Sequence, residues 1–231
     1  MAAATSQATT PGPTKIIQCP GSDEIRSVPS INSGNTFGAR IWTDGYMVAP
    51  MLPRFPAVTR CSDSGPIFWV ASAKVLGEIT PWGELPASAP QGWKQAPTVR
   101  SLKGAEYLQA IADGLGDTAE RLAYLRRHAW WEANHQRRPR EASQAAIESS
   151  DFAAGSADRD NLEALLASLD ESNVNQLLTK VEGLRQLARF DEAAVLLERA
   201  APAEARLQPW VKVVGERIRL RDARVVMLPT K

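Results

Sequence analysis

Apolar positions alternate with polar ones through the first hundred residues and recur at helical spacing after that. Over residues 36–42 one parity carries Phe37, Ala39 and Ile41, the two-residue period of a half-buried strand. Thr43-Asp44-Gly45-Tyr46 follows, and residues 46–52 are apolar enough to return as the partner strand. Asp-Gly between two such runs predicts a tight hairpin, with glycine taking the positive φ of a type I′ turn. Pro50, Pro53 and Pro56 then favour an edge or a loop, because proline has no N–H to give a ladder. Residues 66–75 (PIFWVASAKV) read as one well-buried strand whose bulk is Phe68 and Trp69. β-Structure is therefore expected from Lys15 to about Ile79, after a disordered tail over residues 1–15.

Residues 80–100 hold Pro81, Pro86, Pro90 and Pro97 with Trp82 and Trp93 between them. That density of proline predicts a connector that packs its tryptophans against one or both domains. Helical patterning starts at Ser101. Tyr107, Leu108, Ile111 and Leu115 form one stripe, which Gly114 and Gly116 break. Asp117 with Glu120 three residues later predicts a capping box. The helix it starts keeps Leu122, Leu125 and Ala129 on one face and ends near Arg137, ahead of Pro139. Residues 140–158, rich in Ser, Ala, Asp and Glu, read as a connection. Four short helices are expected over residues 161–169, 174–187, 190–201 and 209–220, with Pro209 at the first position of the last. The tail over residues 224–228 either extends that helix or adds a short strand. The expected class is α+β: a small antiparallel β ribbon-like module over residues 16–79, the connector, and an α-helical, repeat-like domain over residues 101–231.

Composition alters this picture little. A chain of 231 residues with 44% hydrophobic and 23% charged residues has the make-up of an ordinary soluble globular protein. A formal net charge of +1 gives no global attraction to nucleic acid or to an acidic membrane. The best apolar stretch, residues 67–79, is interrupted by Ser72, Lys74 and Glu78, so no membrane span is expected. Two cysteines and an N-terminus without the features of a signal peptide point to the cytoplasm.

Cys19-Pro20-Gly21-Ser22 and Cys61-Ser62-Asp63-Ser64-Gly65 each have the spacing of a Cys-x-x-Cys knuckle in which serine replaces the second cysteine. In this the region of residues 16–79 resembles the zinc-ribbon or rubredoxin-like group, whose two knuckles face each other and hold zinc through four thiolates. The stretch over residues 33–53 is also similar to uncharacterised bacterial proteins that keep both Cys-x-x-Cys pairs. The resemblance implies a degenerate metal site at Cys19 and Cys61, with Ser22 and Ser64 at the lost ligand positions. A serine hydroxyl, with a pKa far above neutrality, is a poor zinc ligand. Three readings follow. The first is a ribbon retained without metal, the second a site completed by other groups or closed as a disulfide, and the third two unrelated loop cysteines. No cofactor is expected, zinc being disfavoured with two cysteines. A lost structural zinc, on the order of 10 kcal/mol, calls for compensation from an aromatic core of Phe37, Trp42, Phe68 and Trp69 or from docking on the helical part.

Other chemistry is sparse. His128 and His135 lie seven residues apart near one helix face and read as packing or surface residues. Phosphate-binding glycine loops are missing, and Gly114-x-Gly116 lies between helices, so no enzymatic activity is expected. Arg126, Arg127, Trp130 and Trp131, followed by Arg137 and Arg138, combine phosphate-binding and base-stacking side chains. Arginines near a helix C-terminus with buried tryptophans explain the same pattern without nucleic acid. Leu184, the run from Leu187 to Ala193 (LARFDEA), Leu197, Ala200 and Pro202 resemble the middle of a tetratricopeptide repeat, placing a repeat-like hairpin at residues 174–201. Ala188 stands there in place of the usual turn glycine. Such surfaces mostly bind proteins, and a plain helical hairpin packed for stability is the competing reading. The leading expectation is a non-enzymatic adaptor whose partner is another protein, in one version a bacterial immunity or effector-accessory protein. The alternative is nucleic-acid binding through the ribbon module and the Arg/Trp helix.

Overall fold

Proline and glycine punctuate the N-terminal half so closely that its strands stay short, six residues at most among those described. The computed structural model describes residues 9–138, 152–200 and 205–229. Nine strands are described: β1 (Thr10–Pro11), β2 (Thr14–Gln18), β3 (Ile25–Val28), β4 (Ile31–Ser33), β5 (Arg40–Ile41), β6 (Met47–Val48), β7 (Val58–Arg60), β8 (Ile67–Trp69) and β9 (Lys74–Ile79). Six helices follow: α1 (Gly104–Ala112), α2 (Ala119–Ala133), α3 (Ala157–Ala167), α4 (Val174–Gln186), α5 (Phe190–Ala200) and α6 (Gln208–Arg219). The class is α+β. Two compact units result, one from the chain up to Ala39 with Ala49–Leu102, the other from Arg40–Val48 with Lys103 onward.

In the first unit β2 is the middle strand of an antiparallel sheet of order β3-β2-β9. A middle strand covered on both faces must be apolar at consecutive positions, and Ile16 and Ile17 are both buried. A bulge opposite β9 falls between those two residues. β7 and β8 form a separate antiparallel pair, as do β1 and β4. The core joins Ile17, Phe68 and Val99 to Cys19 and Cys61.

Several expectations change here. Strand structure begins inside the N-terminal tail, at β1 and β2; residues 1–8 of that tail lie outside the described residues. The run over residues 66–75 is two strands. β8 ends at Trp69, a 3-10 turn over Val70–Ser72 follows, and β9 begins at Lys74. Ser72 Oγ donates to the Trp69 carbonyl at 2.7 Å, a local bond that competes with the ladder. A continuously apolar run has no period that could betray such a bend. The connector belongs to the first unit, since Val99 N donates to Ser27 O at 2.9 Å and Ser27 bridges Thr98. Gly77 leaves room for the Trp93 ring, which a Cβ at that position would meet at 2.5 Å. Trp82, by contrast, is 77% exposed, and Phe37, expected in an aromatic core, is 78% exposed.

In the second unit the helices form where the apolar spacing puts them, with shifted ends. Gly114, at φ +80°, stops the turn after α1. The cap of α2 is Thr118, whose hydroxyl accepts from Arg121 N at 3.2 Å. Asp117, one residue earlier, pairs instead with the Arg121 guanidinium at 2.8 Å. α2 ends at Ala133 and a 3-10 turn over His135–Arg137 continues it. α3 starts at Ala157 because Ser156 caps it, accepting from Arg159 N. Of the expected connection over residues 140–158, residues up to 151 lie outside the described residues, while Phe152 is buried in the core. Pro209 occupies the second position of α6, after the Leu207 cap. The core runs through Trp130, Leu162, Leu165, Val181, Leu184, Phe190, Val214 and Ile218. α3 and α4 approach closely at Gly183, where a Cβ would lie 2.5 Å from Leu166 Cδ2.

The hairpin of β5 and β6 is shorter than the alternation suggests and its turn is of another type. Trp42 N donates to Tyr46 O and Gly45 N to Trp42 O, both at 2.9 Å, closing a loop of Thr43, Asp44 and Gly45. Gly45 takes φ +77°, whereas Asp44 is not among the residues with positive φ. A type I′ turn needs positive φ at both central residues; this geometry is the three-residue loop with glycine in the left-handed region. The C-terminal tail is extended rather than helical and runs beside the hairpin, Thr43 N donating to Val226 O and Leu228 N to Ile41 O.

Candidate functional site

The two half-knuckles stand where hairpins turn. Cys19 follows β2 and its N–H donates to Glu24 O at 2.8 Å; Cys61 follows β7 and its N–H donates to Pro66 O at 3.4 Å. The turns meet, and the two sulfurs form a disulfide with Cα atoms 5.9 Å apart, inside the range such bridges span. Of the readings left open, the structure takes the paired disulfide. Ser22 and Ser64 are exposed, and Ser22 Oγ accepts from Glu24 N within its own turn. Two sulfurs bonded to each other and two hydroxyls at the surface do not fit a tetrahedral zinc. Among the described residues no cluster of three or more His, Cys, Asp or Glu is placed to hold a metal ion.

The Arg/Trp segment points mostly inward. Trp130 is 1% exposed and its indole N–H donates to Gln186 Oε1 at 2.9 Å. Trp131 donates to the Asp44 carbonyl at 2.9 Å. Arg126 bonds Asn161 Oδ1 at 3.3 Å, and Asn161 Nδ2 returns to the Arg126 carbonyl, tying α2 to α3. Arg127 is half-buried, and burial lowers its guanidinium from the ordinary value. Arg137 lies over the Phe152 ring at 5.3 Å. Arg138 is buried, over the Tyr46 ring at 4.0 Å and paired with Asp44. His128 stacks on Tyr124 at 3.8 Å, the packing role read from the sequence, while His135 is exposed.

What organises these side chains is the hairpin tip. Asp44, fully buried, is bonded through Oδ2 by Arg138 Nη2 and Asn134 Nδ2, and through Oδ1 by Tyr46 N. Asn134 spends its second amide hydrogen on Gln186 Oε1 at 3.0 Å. Gln186 in turn donates to Glu182 Oε1, and Arg185 grips both Glu182 oxygens at 2.6 and 2.9 Å. Arg185 also bonds the carbonyls of Asp222 and Arg224 and reaches Thr43 Oγ1. Trp210 donates to the Thr43 carbonyl at 2.8 Å. Burial pushes the Asp44 carboxyl up from its ordinary range, and the Arg138 charge pulls against it. The network balances two carboxylates with two guanidiniums and spends the acceptors named here inside the unit. It holds a shape. Asp44 was legible as a turn residue, whereas Asn134, Glu182, Arg185 and Gln186 were not, because an i, i+3 Glu–Arg pair on a helix ordinarily faces water.

A groove of about 490 Å³ lies on the surface of α3, α4 and α5. Leu166, Ala167, Leu184 and Leu196 line it, with Val195, 62% exposed, at its edge. Its charged residues are already paired, Lys180 with Glu171 at 2.8 Å and Arg189 with Glu192 at 2.6 Å. Here the hairpin of α4 and α5 meets α3. Leu187 ends α4 and Ala188 takes φ +59°, the left-handed cap at which glycine is usual.

No family model matches the chain, and neither does any curated protein or solved structure. Among the described residues no helix is long and apolar enough to cross a membrane.

Proposed function

We propose that this chain is a non-enzymatic adaptor whose helical unit binds a partner protein in the groove of α3, α4 and α5. One observation carries the reading: a groove with Ala167, Val195 and Leu196 at its surface and the buried Leu166 and Leu184 beneath, with charged side chains of both signs around it. An amphipathic helix suits such a groove, its apolar anchors at i, i+3 and i+4 in the lining and its charges along the edge. Val195, being exposed, contributes to binding without contributing to the core. In the same reading the cysteine-bearing turns shape the first unit and take no part in chemistry, and the protein works in the cytoplasm.

The test is a comparison of wild type with Val195→Arg. The substitution changes folding stability by no more than about 0.5 kcal/mol, the usual range for a surface position. Proteins cross-linked or captured by wild type at physiological salt are lost by the variant. Capture that is equal in the two proteins overturns the assignment to this groove. Capture of nucleic acid instead, falling steeply with salt and abolished by replacing Arg126 and Arg137, would support the alternative.

A further inference from the structure

The Cys19–Cys61 bridge joins the β2–β3 hairpin to the β7–β8 hairpin, and a second, non-covalent tie joins the same two hairpins. Residues 96–100 (APTVR) form it. On the β3 side Ser27 N donates to Pro97 O and Val99 N to Ser27 O, each at 2.9 Å. Ser27 Oγ donates to Ala96 O at 3.1 Å and lies 3.1 Å from Thr98 Oγ1. On the β7 side Thr59 Oγ1 donates to Arg100 O at 2.9 Å and accepts from Arg100 N at 3.3 Å. Between these anchors Val99 enters the apolar cluster that holds both cysteines, with Ile17 and Phe68. Both cysteines are closed to solvent there, Cys19 at 2% and Cys61 at 3% exposure. Thiol–disulfide exchange needs a thiolate to reach a sulfur, so neither sulfur is open to attack while the cluster is shut. Ile17 and Phe68 sit in strands fixed by ladders, whereas residues 96–100 belong to no sheet and hang on Ser27 and Thr59. A segment held by so few bonds opens at lower cost than the strands around it.

We propose that residues 96–100 are a strap that gates the Cys19–Cys61 bridge: seated, Val99 keeps the bridge closed to thiols; lifted, the strap admits a dithiol reductant. One thiolate of the dithiol attacks a cysteine sulfur. As that sulfur–sulfur bond forms, the Cys19–Cys61 bond breaks, and the other cysteine leaves as a thiolate that takes a proton from water. The second thiol of the reductant, its proton lost to solvent, then displaces the first cysteine. The products are two cysteine thiols and one cyclic disulfide, two electrons having passed from the dithiol to the bridge. The covalent tie between the hairpins is thus cut only after the hydrogen-bonded tie between them has been released. This inference does not depend on the groove of the helical unit.

The experiment uses the full chain, purified without reductant, with dithiothreitol as the dithiol. Thiols that appear with time are trapped by alkylation and counted by mass, over a series of urea concentrations below the unfolding transition. Before treatment neither cysteine is alkylated, and folded wild type is reduced far more slowly than the urea-unfolded chain. Its rate changes little with urea until global unfolding sets in, since release of a short segment exposes little surface. Val99→Ala speeds reduction without urea by about tenfold or more, the factor that corresponds to two buried methyl groups lost from the seated strap. Thr59→Val, which keeps the volume and removes the hydroxyl bonded to Arg100, speeds it by about threefold or more. Ile16→Val, at a buried β2 position outside the cysteine cluster, lowers the urea midpoint and leaves the rate without urea unchanged. Alkylated cysteines before treatment overturn the proposal, as does reduction of folded wild type as fast as that of the unfolded chain. So does a wild-type rate that climbs with the full unfolding slope from the lowest urea onward. Wild-type rates in both strap variants, or an equal acceleration by Ile16→Val, overturn it too.

Discussion

Removing the Asp44 carboxylate leaves Arg138 buried without its counter-charge and Asn134 with an idle donor. Breaking such a buried pair from one side costs about 3–5 kcal/mol, so Asp44→Ala is expected to lose stability on that scale in urea unfolding, and Asp44→Asn less. A loss below about 1 kcal/mol would show that the pair is not set as described. Asp222 gives a prediction of opposite character. Burial pushes its carboxyl up, but hydrogen bonds from Arg224 and Arg217, together with the Arg224 charge, outweigh that and hold it at about 2. A carboxyl held below its ordinary 3.8 adds stability above that pH, and the addition is lost as pH falls from 3.8 toward about 2. Asp222→Asn therefore destabilises at neutral pH and flattens that part of the acid limb, as thermal melts across pH will show. Neither role could be read from the sequence. Asp44 and Asp222 look like ordinary turn and surface carboxylates until the chain brings arginines from distant or neighbouring positions against them.

At the scale of elements, the helices α4 and α5 were legible almost to the residue, because a 3.6-residue apolar period is a local property. Ala188 shows how far such local reading extends. It stood out in the sequence as an alanine where a repeat has glycine, and in the structure it adopts φ +59°. Because an L-residue with a Cβ is strained there, Ala188→Gly is expected to stabilise the protein by up to about 1 kcal/mol. The check is a higher urea midpoint at an unchanged slope. Strands were read less well. One apolar run divides into β8 and β9, which pair with different strands, β7 and β2, and the Asp-Gly turn closes as a three-residue loop rather than a type I′ turn. Strand pairing is non-local, and a sequence period does not name the partner.

For the whole molecule, the cross-link is the feature whose removal reaches furthest. Tying residues 42 apart stabilises by about 4 kcal/mol in the chain-entropy account, with 2–4 kcal/mol typical of measured bridges. The double substitution Cys19→Ser/Cys61→Ser is expected to speed amide exchange in β2, β3, β7 and β8, while α4 and α5 keep their protection. Acceleration spread evenly over both units, or none, would contradict that placement. The sequence by itself determined the α+β class, the positions of the helices, the turns that carry the two cysteines and the Asp-Gly turn, since each rests on residues within a few positions of one another. The tertiary structure decided which distant groups meet. It joined Cys19 to Cys61, placed Ser22 and Ser64 at the surface, and turned Trp130 and Arg138 inward. It also assigned residues 40–48 to the helical unit, where buried arginine and asparagine side chains hold Asp44. The reason is physical: a charged side chain is buried where a partner compensates its lost hydration, and the partners of Asp44 lie about ninety residues away along the chain.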